Sequence, residues 1–370
     1  MPVPLLDLRA QHARIRESVV AAMMKVVDDQ AFILGAPVSA LEADVAALSH
    51  TKYAIGCASG TDAILLALKA LDIGAGDEVI TTPFTFFATA GTIHNVGAKA
   101  VFVDIDPKTY NIRPDLAAAA VTSKTKAIIP VDLFGQIAQV DEIMRLVPRM
   151  PVIEDAAQTI GARRQIDGEW RMAGEMATIG TFSFFPSKNL GGYGDGGMMV
   201  TQDKTIFDRL MRLRTHGSVK TYVHEEVGFN SRLDALQATV LQAKLPFLAE
   251  WSAKRRENAK FYDAAFADLA GIVTPFIDPA NESIFNQYTI RAPKRDALKE
   301  HLSAKGIGCS VYYPIPLHLQ QCFAYLGYKQ GACPESEKAA TEVLSLPIYP
   351  ELTRGQLDEV VATVRAFFGR

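Results

Sequence analysis

The chain has 370 residues, 49% hydrophobic and 21% charged, with 38 Lys and Arg against 41 Asp and Glu for a formal net charge of −3. This balance excludes wholesale disorder and leaves no electrostatic footprint for a nucleic acid. The length predicts two domains with cores large enough to hold without disulfides or a structural metal.

In chain order, residues 1–30 form an arm in which Asp7 and Arg9 interrupt any apolar leader. No apolar run approaches the ~18 residues of a membrane span, so a cytoplasmic protein with no membrane contact is expected. Short apolar runs at 52–59, 78–86, 99–105, 126–133, 152–155, 179–185 and 198–201 read as strands, several of them continuous as in a sheet covered on both faces. Helical patterns at 61–71, 86–95, 115–121 and 140–147 alternate with them, which predicts an α/β domain with a mostly parallel sheet. A long helical stretch follows at 232–245 and 246–269, broken or kinked at Pro246. Beyond it, strands at 287–292, 309–313 and 344–348 and helices at 295–304, 335–343 and 354–368 predict a smaller α+β domain. The expected division is 1–245 for the large domain and 246–370 for the small one, with the 1–30 arm packing beside the latter.

Several signatures fail. A formal G-x-G-x-x-G at 192–197 leads into the apolar run Met198-Met199-Val200 instead of a helix, so it is no dinucleotide fingerprint. The P-loop, G-x-S-x-G and H-E-x-x-H patterns are absent. Cys57, Cys309, Cys322 and Cys333 are scattered, and no histidine pairs with them at ligand spacing. Reduced thiols and no metal are the expectation.

Three segments at predicted strand ends concentrate chemistry, where open α/β sheets bind ligands. Ser59-Gly60-Thr61-Asp62 opens a helix, as an anion site or as a plain cap. Asp155 and Gln158 stand where the strand Val152-Ile153-Glu154 gives way to small residues. The carboxylate there can pair with a cationic ring nitrogen or cap the next helix. Lys188 sits between an aromatic strand, Ser183-Phe184-Phe185, and the glycine-rich loop that follows. An amine in apolar surroundings favours its neutral, nucleophilic form. A phosphate cradle, a buried acid and a desolvated lysine together are what pyridoxal phosphate requires.

The motifs Ser-Gly-Thr-Asp-Ala, Thr-Pro-Phe-Thr-Phe-Phe-Ala-Thr, Glu-Asp-Ala-Ala-Gln, Ser-Phe-Phe-Pro-Ser-Lys-Asn-Leu-Gly and Gly-Phe-Asn-Ser-Arg-Leu-Asp resemble the DegT/DnrJ/EryC1/StrS family of sugar aminotransferases. The resemblance runs from Leu6-Asp7-Leu8 to Ser345-Leu346-Pro347. It implies the aspartate-aminotransferase-like fold type I and a homodimer with active sites at the subunit interface. The family's Schiff-base lysine falls on Lys188 and its pyridinium partner on Asp155. Gln158 takes the position contacting the ring hydroxyl, and Phe84 the aromatic position that stacks on the ring. Gly60, Thr61 and Ser183 take phosphate positions, and Asn230 would reach the phosphate from the other subunit.

The implied reaction is ping-pong transfer of an amino group from an amino acid, glutamate in most of the family, through pyridoxamine phosphate to a keto nucleotide sugar. Related dehydratases carry histidine at the Schiff-base position, so Lys188 argues for amino transfer. Val311-Tyr312-Tyr313-Pro314 and Asn230-Ser231-Arg232 resemble the branch acting on 3-keto nucleotide sugars. There Phe32, Ser187, Arg232, Tyr312 and Tyr313 would line the sugar-nucleotide site. Uronate-specific relatives tend to have histidine where Tyr312 stands and tyrosine where Phe32 stands. These departures favour a UDP-linked 3-keto N-acetylhexosamine over a uronate. A dTDP-linked 3-keto-6-deoxyhexose or a 4-keto sugar is the alternative substrate, and a regulator that binds the cofactor without turnover is the alternative of another class.

Overall fold

The computed structural model describes residues 2–369. Seven strands form the central sheet in the order Lys99–Phe102, Glu78–Thr81, Thr125–Ile129, Ile153–Asp155, Ile179–Ser183, Gly197–Thr201 and Tyr53–Cys57. Its two halves join through the parallel bridges Ile128 to Val152 and Val131 to Asp155. Within it only Gly197–Thr201 runs against the other strands, pairing antiparallel with Ile179–Ser183 and with Tyr53–Cys57. All other neighbours are parallel, as continuous apolar strands require when helices cover both faces.

Helices Gly60–Ala70, Phe87–Asn95 and Lys204–Leu213 pack on one face around Ile64, Leu68, Ile93 and Leu210. Helices Ala36–Leu48 and Ala235–Lys244 cover the other around Leu41, Val45, Phe182, Phe184 and Leu241. Pro246 does break the long helical stretch. A 3-10 turn at Leu245–Phe247 separates Ala235–Lys244 from Leu248–Phe266, because the ring cannot donate a backbone hydrogen bond.

A second core forms around the antiparallel pair Tyr288–Arg291 and Val343–Leu346. Helices Leu248–Phe266, Arg295–Ala304 and Arg354–Phe367 enclose it through Tyr262, Leu298 and Val360. The N-terminal arm serves both cores. Val3 is buried in the second, bridged to Ile307, whereas helix Leu8–Asp28 lays Ile15 and Val19 against Val240 and Trp251. The chain also returns to the first core after helix Leu248–Phe266, since Asn281–Glu282 pairs with Arg163–Ile166 and Ile284 packs beside Phe182.

Three expectations change. The run 309–313 is no strand: it has the single bridge Ser310 to Ser345, Tyr312 and Tyr313 pack with Phe84, Tyr110 and Val131, and Val311 packs on both that cluster and the second core. The run 78–86 pairs only to Thr81, its remainder forming the loop into helix Phe87–Asn95. The sequence pattern also missed the hairpin Arg163–Ile166 with Glu169–Met172, whose charged residues hide any alternation. Among the described residues no helix is long and apolar enough to cross a membrane.

Candidate active site

Past the carboxyl ends of the central strands lies a cavity of about 690 Å³. It is lined by Gly60, Thr61, Asp155, Gln158, Ser183, Ser187, Lys188, Tyr312 and Tyr313, which sequence reasoning had proposed from four separate segments.

The first wall is the N-terminus of helix Gly60–Ala70. Ser59 caps it, its hydroxyl accepting from the Asp62 amide at 3.1 Å. The amides of Gly60 and Thr61 have no acceptor within the helix and point out of its positive end. Gly60 is held to glycine by its neighbour: a Cβ there would lie 2.6 Å from the Cβ of Ser183. The missing side chain lets the helix N-terminus and Ser183 stand side by side at the cavity.

The floor is the end of strand Ile153–Asp155. Asp155 is buried, and its Oδ2 accepts from the Thr89 hydroxyl at 2.7 Å. Burial pushes this carboxyl up from its ordinary range, while the Thr89 hydrogen bond and the charge of Lys188 oppose that rise. A cation held against Asp155 would keep it ionised. Gln158 accepts from the Phe134 amide at 2.6 Å through Oε1, which fixes its amide and turns Nε2 toward the Tyr313 hydroxyl at 3.5 Å.

Lys188 projects from the loop after strand Ile179–Ser183, anchored by its backbone amide on the Phe185 carbonyl at 2.8 Å. Its side chain is half-buried, and its amine has no hydrogen-bond acceptor among the described residues. Desolvation lowers the amine to about 8, with Asp155 as the opposing influence. The loop continues through Gly191, where a Cβ would meet the Pro186 carbonyl oxygen, so the turn that aims Lys188 depends on this glycine.

The far wall is the segment 312–320, which ends in the 3-10 turn Leu317–Leu319. Leu317 hangs on the Pro83 carbonyl at 2.8 Å, and fully buried His318 bonds Glu337 at 3.0 Å from behind. Tyr312, Tyr313, Ile315 and Gln320 are thereby presented to the cavity.

Four proposed residues stand elsewhere. Phe84 is fully buried (0% exposed) against Tyr110 and Val131 and lines nothing. The ring of that Phe-Thr-Phe run which lines the cavity is Phe86, 58% exposed, and Phe87 and Phe185 line it as well. Phe84 and Phe86 belong to one motif, and the physical reason for the shift is that Phe84 completes a core and Phe86 does not. Phe32, Asn230 and Arg232 lie together outside the cavity, joined by the bridge Ile33 to Asp234 and by the Ala235 amide on the Phe32 carbonyl at 2.9 Å. Asn230 is exposed; Arg232 is half-buried and forms no ion pair among the described residues. Thr89, in the first turn of helix Phe87–Asn95 and bonded to Thr85 in the loop before it at 3.2 Å, was missed by sequence reasoning.

An amine poised near neutrality, a carboxylate beneath it and an anion cradle beside it fit pyridoxal phosphate. Among the described residues no His, Cys, Asp and Glu side chains gather as a metal site.

Comparison with known proteins gives this arrangement its lineage. Residues 13–365 match the model of the DegT/DnrJ/EryC1/StrS aminotransferase family. A pleiotropic regulatory protein of Geobacillus stearothermophilus is 50% identical over 100% of this chain and 99% of its own. The UDP-N-acetyl-3-dehydro-alpha-D-glucosamine 3-aminotransferase of Acidithiobacillus ferrooxidans is 47% identical over 98% of this chain and 97% of its own. The solved structure of S. venezuelae DesV, in complex with a ketimine intermediate, superposes with a TM-score of 0.96 at 39% identity, covering 100% of this chain and 99% of that one. The chain therefore belongs to the DegT/DnrJ/EryC1/StrS aminotransferase family, has its fold type I architecture, and is a pyridoxal-phosphate-dependent aminotransferase.

Proposed function

We propose that this enzyme transfers an amino group from L-glutamate to a UDP-linked 3-keto N-acetylhexosamine, working in the cytoplasm as a homodimer with shared active sites. The observation that carries the chemistry is Lys188, an amine lowered to about 8 and placed in one cavity with Asp155 and the helix cradle. The observation that supports the substrate is the 47% identity, along nearly the full chain, to an enzyme named for that keto sugar.

Bound here, pyridoxal phosphate supplies an aldehyde that takes up amino groups and a protonated ring that accepts electrons. Gly60, Thr61 and Ser183 would hold its phosphate, Phe86 one ring face, Gln158 the ring oxygen and Asp155 the ring N–H. Asp155 enters this role already held at both oxygens, Oδ2 by the Thr89 hydroxyl at 2.7 Å and Oδ1 by the Ala157 amide at 3.3 Å, so its carboxylate is oriented before the ring arrives. Lys188 would anchor the aldehyde carbon at rest. Its amine, lowered to about 8 in the chain itself, would be the group placed to take a proton from the substrate α-carbon and return one to the cofactor carbon. The same movement in reverse serves the keto sugar. Ser187, Tyr312 and Tyr313 face the space above Lys188 where that sugar would lie. Phe32, Asn230 and Arg232, outside the chain's own cavity, would complete the site of a second copy.

The test is a pair of half-reactions on the purified yellow holoenzyme. Glutamate should bleach the colour, and a UDP-linked 3-keto N-acetylhexosamine should restore it while gaining one amine by mass spectrometry. Bleaching by no amino acid would refute amino transfer and leave a regulator in the sense of the Geobacillus relative's name. Restoration only by dTDP-linked or 4-keto sugars would refute the substrate.

A further inference from the structure

Behind Asp155 the sheet buries two more carboxyl groups that no step above uses. Asp132 follows strand Thr125–Ile129, and Glu154 directly precedes Asp155 on its own strand; both are 0% exposed. Alternation along the strand sends Glu154 to the face opposite Asp155. The Asp132 oxygens accept from the Ala138 amide at 2.8 Å and the Thr159 hydroxyl at 2.7 Å. Glu154 accepts from the Gly174 amide at 3.0 Å through Oε1, while Oε2 has no donor.

The parallel bridge Val131 to Asp155 sets the two segments side by side and brings the carboxyls within hydrogen-bonding reach of each other, and burial raises both. The other charged group acting on Glu154 is Glu175, a third acid, itself bonded to Arg171 at 2.9 Å and His50 at 3.3 Å. Among the described residues no cation lies against the pair to balance two charges. Two enclosed carboxylates cannot both ionise, and a single proton between them removes the second charge.

The pair is tied to the cofactor residues through the backbone. The Asp132 amide donates to the Asp155 carbonyl at 3.0 Å, and the Asp155 amide to Pro130 at 2.9 Å. Thr159, which holds Asp132, directly follows Gln158, and Phe134, two residues past Asp132, holds the Gln158 amide.

We propose that Asp132 and Glu154 share a single proton and act through Asp155 as positioning residues, their one retained negative charge favouring the protonated form of the bound cofactor. The inference rests on pyridoxal phosphate being held at Lys188.

The experiment compares holoenzymes of the native chain, Glu154→Gln, Asp132→Asn and the double variant. Its readout is the pH at which the visible absorption of the cofactor joined to Lys188 changes. Each single variant keeps one charge and one hydrogen bond across the pair, so its midpoint should stay within a few tenths of a unit of the native one. The double variant keeps the bond and loses the charge. Its midpoint should fall by roughly one unit, the size of a single buried-charge effect. An unmoved midpoint in the double variant, or equal shifts in all three, would overturn the proposal.

Infrared spectroscopy decides independently if the double variant fails to fold. The native protein at neutral pH should show a protonated-carboxyl band that either single variant removes, and its absence would overturn the shared proton. A native protein that never takes up the cofactor would refute the active-site reading instead, and the infrared band would still decide the proton.

Discussion

Gly60→Ala isolates the close approach on which the proposed phosphate cradle depends. The new Cβ would lie 2.6 Å from Ser183 Cβ, 3.0 Å from its Oγ and 3.1 Å from its Cα. The first turn of a helix otherwise welcomes alanine, so the steric overlap is the whole penalty. Forcing a methyl into packed surroundings costs about 1–3 kcal/mol, and an overlap this deep against a sheet strand belongs near the upper end. Ser183→Gly removes the two closest atoms and leaves only the strand backbone, 3.1 Å away. Alone it should cost about 1 kcal/mol as a glycine inside a strand. The double variant should then be more stable than the sum of the singles by about 1–2 kcal/mol, a coupling that urea unfolding of the apoprotein resolves. Cofactor affinity must not recover with stability, because the double variant lacks the Ser183 hydroxyl. Additive stabilities, or a Gly60→Ala protein as stable as the native one, would refute the steric account. Full recovery of cofactor binding in the double variant would refute the assignment of Ser183 to the phosphate.

The lowered Lys188 amine gives a pH prediction: the rate at which apoprotein joins pyridoxal phosphate should rise with pH and level off above about 8. An ordinary lysine would keep climbing past 10, and its neutral fraction at pH 7 would be roughly 300-fold smaller. The sign for stability follows, since a folded value below the unfolded one means the unfolded chain holds more protons between about 8 and 10.5; this group's contribution to apoprotein stability therefore rises with pH across that window. Phe84→Ala should destabilise by about 3–5 kcal/mol in urea, as loss of a buried ring does, while Phe86→Ala should leave stability within about 1 kcal/mol and weaken cofactor retention on dialysis. Mixing inactive Lys188→Ala protein with inactive Arg232→Ala protein should restore up to about a quarter of native activity after subunit exchange, because one site per mixed dimer is intact; no recovery would refute a shared site.

How much of this was legible in the sequence depended on how far apart the signals lay. Lys188, Asp155 and Thr61 stand at switches from apolar strand to small or polar residues, a pattern local enough to read along the chain. The parallel strands were legible for the same reason, being continuous apolar runs. Phe84 and Phe86 were not separable, because which ring is buried depends on Tyr110 and Val131 arriving from other segments. The segment 309–313 carries strand-like side chains, yet it pairs at one residue only and spends Tyr312 and Tyr313 on the cavity wall. Glu154 lies on strand Ile153–Asp155 and Asp132 just past strand Thr125–Ile129, far apart in the chain, and neither alone signals the other. Their encounter is a property of adjacent strands ending side by side.

The distribution of charge explains why a chain of nearly balanced composition can serve anionic substrates. Among the described residues lining the cavity, Lys188 is the one Lys or Arg, set against Asp155 and Asp195. A phosphate ester can be held by helix amides and hydroxyls, so the cradle at Gly60, Thr61 and Ser183 needs no cation. A nucleotide diphosphate and a dicarboxylic donor bring further negative charge that those groups cannot balance. Arg232 is a cation without an ion-pair partner among the described residues, and its neighbour Ser231 donates to Asp62 Oδ2 at 2.6 Å in the first turn of the cradle helix. The segment carrying Arg232 is thus fixed to the phosphate site's own helix while Arg232 lies outside the cavity. In the proposed homodimer a second copy would bring its cavity to meet this cation, and the missing charge would then come from the interface and not from the composition.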